Sequence, residues 1–147
     1  MHNLDSTLWD ERIVTLYDYW CSICPQNGEV PLRADFDPAR VRQILSWVWM
    51  VSAHSQPTRF KFRLLGTDSV QAMGRDVTGV WIDEAYPKFE NSIGYQDYID
   101  VISGKGPSYR KGEAHYHIAS YKNIERIMLP MSENGKDVDI IAITVYD

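Results

Sequence analysis

Basic charge is in short supply: 15 Lys and Arg stand against 20 Asp and Glu over 147 residues, a formal charge of −5. That deficit disfavours a general nucleic-acid surface, because phosphate binding needs clustered Lys and Arg. Long apolar runs are missing too. The longest, Trp47-Val48-Trp49-Met50-Val51, falls far short of the roughly 18 residues that would point to a membrane-spanning helix. The first residues, Met1-His2-Asn3-Leu4-Asp5, have neither the basic start nor the apolar stretch of a secretory signal, so a cytoplasmic location is expected. Cys21 and Cys24 are the only cysteines, three apart, which excludes a disulfide scaffold. What is abundant is core material. The hydrophobic fraction is 44% and the aromatic fraction 12%, and a chain of about 150 residues buries roughly 68–70% of its unfolded surface. One compact domain is expected at this length.

Apolar residues recur at Trp9, Ile13, Leu16, Tyr17 and Trp20. This helical spacing predicts an amphipathic helix over residues 8–23, with Asp5, Ser6 and Thr7 as cap candidates. Pro25 and Asn27-Gly28 should stop it, and an extended connection follows to Phe36. Asp37-Pro38 signals a second, short helix through Leu45. Residues 47–53 and 59–64 read as two strands joined by a turn at 54–58. In the second, Phe60, Phe62 and Leu64 alternate with Arg59, Lys61 and Arg63, and the basic set reads as a solvated face. From Gly66 to Trp81 the glycines divide the chain into short helical turns. A helix near 92–103 carries Tyr95, Tyr98, Ile99 and Ile102 on one face. Strands at 108–118, 121–131 and 138–146 close the chain, the last two separated by a turn containing Asn134-Gly135.

Five strands with helices between the second and third predict an α+β architecture, an antiparallel sheet covered on one face. Five local strings carry a more specific likeness: Tyr19-Trp20; Arg33-Ala34-Asp35-Phe36-Asp37-Pro38; Arg59-Phe60-Lys61-Phe62-Arg63-Leu64-Leu65-Gly66-Thr67; Gly74-Arg75-Asp76 with Thr78-Gly79; and Glu125-Arg126-Ile127-Met128-Leu129-Pro130-Met131. In this order, and spanning nearly the whole chain, they resemble the PAS-like family of small, mostly alphaproteobacterial, often single-domain proteins. The resemblance implies a PAS fold with an extra N-terminal helix. Residues 1–36 would form that helix and its connection, available for dimerisation, ahead of a PAS-like domain over 37–147. It also implies a sensor or interaction module, although a fold does not fix a function.

Trp20-Cys21-Ser22-Ile23-Cys24 resembles a thioredoxin-type motif, but it falls at the end of the predicted first helix, where the dipole disfavours a thiolate. His115-Tyr116-His117 places two imidazoles on one strand face, short of the four ligands a structural zinc takes. Arg75, Asp76 and Asp83 surround the middle glycines, suited to tethering a loop or orienting a carboxylate. No nucleophile triad or phosphate loop can be read from spacing. No histidine lies in a haem-binding context, and neither cysteine lies in the middle segment where flavin adduct-forming PAS domains carry theirs. Haem and covalent flavin are therefore disfavoured, and the identity of any cofactor stays open.

The expected function is a non-enzymatic sensory or regulatory module acting through a protein partner, with a homodimer expected through Trp9, Ile13, Leu16, Tyr17 and Trp20. The alternative is a small-molecule receptor. Its ligand would lie between the sheet and the middle helices, among Phe60, Phe62, Arg63, Met73, Trp81, Tyr86, Tyr98, Ile102 and Met128. A thiol redox protein is a third reading.

Overall fold

The computed structural model describes residues 4–104, 106–113 and 123–147. Helix α1 (Glu11–Ile23) opens at Asp10, whose carboxylate accepts the Arg12 N–H and pairs with the Arg12 guanidinium. The start lies later than residue 8 because Asp10, not Asp5, Ser6 or Thr7, supplies the cap; Asp5 accepts from Thr7 in a separate turn. Cys24 is extended ahead of Pro25 and ends the helix. Asp37 caps the next segment through the Ala39 N–H as expected. Pro38–Trp47 winds as 3₁₀ turns rather than one α-helix, and it breaks at Val41.

Five strands follow: β1 (Val48–His54), β2 (Arg59–Leu65), β3 (Ser108–Glu113), β4 (Asn123–Met131) and β5 (Asp139–Tyr146). They form one antiparallel sheet in the order β2-β1-β5-β4-β3. Helices α2 (Thr67–Met73), α3 (Ile82–Ala85) and α4 (Tyr95–Gly104), with one 3₁₀ turn at Phe89–Asn91, lie between β2 and β3. The expected α+β architecture is the one observed, except that the sheet is covered on both faces rather than one, because α1 packs on the side away from the middle helices. The β3–β4 connection, 114–122, falls outside the described residues, and the histidine pair His115 and His117 falls with it.

Alternation along the strands sorts side chains into two cores, one on each face of the sheet. The inner core, under the middle helices, gathers Trp49, Val51, Phe60, Phe62, Tyr98, Val101, Met128 and Ala142. The outer core gathers Ile13, Leu16, Tyr17 and Trp20 of α1 with Val48, Ile127, Leu129, Ile141 and Ile143. Pro130 sits in β4 beyond the last β3 pairing, Ser108 with Met128. There its missing N–H breaks no ladder bond to β3, and its carbonyl is free to accept the Trp20 indole N–H at 2.8 Å. A proline that would disrupt a fully paired strand thus becomes the docking point of α1.

Gly66 joins β2 to α2 where two backbones meet. Its N–H donates to Val48 O at 2.8 Å, and a Cβ here would fall inside the van der Waals radius of Ser46 O. Only glycine allows this approach.

Candidate functional site

Phe60, Phe62, Met73, Tyr86, Tyr98, Ile102 and Met128 come together on the inner face, as the sequence suggested. Their packing is tight. Tyr98 meets Phe89 edge-on at 4.9 Å and Phe60 at 5.2 Å, and Phe89 meets Tyr95 at 5.2 Å. These edge-to-face contacts fill the centre of the layer with rings. A partly open crevice of about 10 Å³ on this face, among Trp49, Phe62, Ser69, Met73, Thr144 and neighbours, suits a single water.

Two of the expected ligand-contact residues lie elsewhere. A bulge between Met50 and Val51 lets Met50 pair with Leu64 and Val51 with Phe62, so Arg63 goes unpaired and is exposed. It lines a groove of about 180 Å³ on the outer face with Arg33, Met50, Leu64, Asp139 and Ile141. Trp81 is outside the core because residues 79–81 run along the β2 edge, with the Gly79 N–H donating to Phe62 O and the Phe62 N–H to Val80 O. Its ring lies under Arg59 at 4.1 Å and Lys61 at 4.9 Å, with His54 at its edge. The basic stripe of β2 is therefore partly covered by an indole rather than simply solvated.

The inner face carries one group that apolar packing does not explain. Alternation along β4 turns Ile127 and Leu129 toward α1 and Arg126 and Met128 inward. The Arg126 side chain is 3% exposed. Its Nη2 donates to Asp97 Oδ2 at 3.1 Å and to Ser108 Oγ at 3.0 Å. Nε and Nη1 are buried and meet no acceptor among the described residues. Asp97, on α4, also takes a two-pronged pair from Arg110 at 2.6 and 2.9 Å. Burial pushes the Asp97 carboxyl up, but hydrogen bonds and charge from Arg110 and Arg126 outweigh it and hold the group below the usual carboxylate range. Two guanidinium groups thus face one carboxylate. Across the β4–β5 pair, Arg126 stands beside Thr144, which accepts the Trp49 indole N–H at 3.0 Å.

Sequence reasoning quoted Arg126 only within a family string and missed its role. The signal was there: a cation inside the strand run Ile124 to Met131, otherwise apolar after Glu125, is costly unless it is paired. Asp97 and Arg110 gave no such signal, because their meeting depends on how α4 crosses the sheet.

On the outer face, Ile13, Leu16, Tyr17 and Trp20 of the expected interface are buried against this chain's own sheet. Trp9 stacks on Tyr109 at 4.2 Å. The aromatic face of α1 is thus consumed within the chain, which corrects its assignment as a dimer surface.

A PAS domain family model matches residues 10–144. The chain belongs to the PAS domain family. No curated protein and no solved structure matches it. The match begins at Asp10, the cap of α1, and ends at Thr144 within β5, so it takes in both faces of the sheet.

The remaining chemistry-bearing residues of this PAS domain have structural partners. Arg75 donates to Ala85 O and lies over the Tyr86 ring. Asp76 accepts the Thr78 N–H at 2.9 Å, and Asp83 pairs with Arg59 at 2.7 Å. The three residues tether separate loops rather than forming one cluster. Burial pushes the Cys21 thiol up, and pushes Cys24 up to about 11, the reverse of a reactive thiolate site. Among the described residues no three His, Cys, Asp or Glu converge as metal ligands, and no helix is long and apolar enough to cross a membrane.

Proposed function

We propose that this PAS domain is a non-catalytic sensory module. It takes up a small molecule on the helix-covered face of its sheet and passes the response to a protein partner. One observation carries this reading: among the described residues the buried Arg126 guanidinium has two donor nitrogens, Nε and Nη1, that meet no acceptor, beside a mostly apolar layer. Buried donors left unmet cost roughly 1–3 kcal/mol each, more when charged, so their presence marks a place where an acceptor is expected. Two of the elements over this face are short, seven residues in α2 and four in α3, and short elements are the ones that yield most readily to a ligand.

The test is a native mass spectrum of the freshly purified full chain. The expected result is a reproducible mass beyond the polypeptide that is lost on denaturation. A bare polypeptide from every preparation would overturn the receptor reading. The oligomeric mass in the same spectrum tells whether the partner is a second copy; a dimer would have to form without the buried face of α1.

A further inference from the structure

We infer that Cys21 and Cys24 form a two-coordinate site for a soft monovalent cation, Cu(I), at the C-terminal end of α1. One turn of chain brings both side chains to the same side. Cys21 lies in the last turn and Cys24 is the cap, its N–H donating to Cys21 O at 3.3 Å. Cys24 leaves the helix only in ψ. Its φ of −65° is helical, so its Cβ keeps the place of a helical residue three beyond Cys21. Side chains so spaced have Cβ atoms about 5–6 Å apart. That is wider than the roughly 3.5–4.5 Å of a disulfide, and it suits a sulfur–metal–sulfur bridge whose two bonds are each near the zinc–thiolate length of about 2.3 Å. Both cysteines are free and half-buried, and both line one crevice of about 340 Å³ with Pro25, Gln26 and Glu29. An ion has a way in.

The electrostatics that disfavour a bare thiolate here call for a cation beside it. The negative pole of the helix dipole falls at the pair, and no basic residue lies in the last turn. Burial, then the charge of Asp18 at Cys21 and of Cys21 at Cys24, holds both thiols above their ordinary value. The sulfurs therefore bind by exchanging protons for metal. Two S–H bonds break, two S–Cu bonds form, two protons leave to solvent, and copper stays Cu(I). The bridged unit carries one negative charge where two bare thiolates would carry two. The Tyr17 hydroxyl bonds to the Cys21 sulfur, an outer partner of the kind that orients a metal ligand.

Ligand number selects the ion. Thiolates favour Cu(I) and zinc, but a structural zinc takes four protein ligands. Among the described residues no third His, Cys, Asp or Glu converges on the pair. Two sulfurs in line complete the coordination of a monovalent ion with a filled d shell.

The experiment titrates the reduced full chain, without oxygen, against Cu(I) held by a coloured chelator. The chain is expected to withdraw one Cu(I) per polypeptide and to release two protons per ion near neutral pH. Cys21→Ser and Cys24→Ser should each weaken binding by more than the roughly 10–100-fold that loss of an outer partner costs, with circular dichroism confirming the fold. X-ray absorption of the copper-loaded wild-type chain needs no variant, and should show two sulfur neighbours in line. No withdrawal of Cu(I), unchanged binding in a folded serine variant, or a third ligand in the absorption spectrum would overturn the site. Saturation at one ion per two chains would do so too, since four cysteines would then be shared between copies, and so would a preference for Zn(II) in competition. In the native mass spectrum that tests uptake on the inner face, a copper adduct is told apart by its loss from the serine variants.

Discussion

Asp97 is the residue on which the inner cluster turns. It is 13% exposed and accepts from two guanidinium groups, one of them 35% exposed and the other 3%. Asp97→Asn keeps the shape but removes the charge that offsets Arg126. The expected cost is about 3 kcal/mol, the low end for breaking a buried pair, because Arg110 reaches solvent. Its pH dependence has a definite sign. A carboxyl held below its ordinary value adds stability that is fully present above about pH 3.9 and is lost as pH falls through the lower folded value. Urea midpoints of the wild type and Asp97→Asn should therefore differ most near neutral pH and converge in acid. Asp139 runs the other way. Burial raises its carboxyl, so the native chain loses the stability it gained from that proton as pH climbs past the ordinary aspartate value.

At the scale of elements, α1 is the clearest test of how a face is used. Its apolar spacing was legible in the sequence, but the surface it covers was not, since periodicity gives a stripe without saying what the stripe meets. With Trp20 fully buried and bonded to Pro130 O, Trp20→Ala should cost about 3–5 kcal/mol. Leu16→Glu should unfold the chain rather than split a dimer, as chemical denaturation and sedimentation would show together. The strands were legible for the same reason as the helix: β1, β2, β4 and β5 follow runs of alternating or β-branched residues. The middle of β2 misled because a bulge is invisible to alternation. Once Met50 and Val51 slip against Leu64 and Phe62, Leu64 leaves the buried face that a strict two-residue repeat would share with Phe60 and Phe62, and it is exposed. Arg126 was hidden for a different reason. Its partners Asp97 and Ser108 come from other elements, and only the packed fold brings them within reach.

For the whole molecule, the two cores share one sheet, with Ile127 packed outward and Met128 inward on the same strand. α1 should then melt together with the inner core, not ahead of it. Tryptophan fluorescence, reporting Trp20 on one face and Trp49 on the other, and far-ultraviolet circular dichroism should trace a single coincident urea transition. An early separate transition would mark 1–36 as an independent unit. The sheet order carries a further consequence, for the sequence of events in folding. Two hairpins, β1–β2 and β3–β4, can close from neighbouring segments, yet they touch in the sheet only through β5, which lies between β1 and β4. Because β5 comes after all the other strands in the chain, a polypeptide emerging from synthesis holds two unjoined leaves and an α1 with much of its cover missing. Joining β1 to β5 spans most of the chain, the kind of distant closure that slows folding and leaves apolar edges open while it waits. The last strand made is the one that turns two halves into one body.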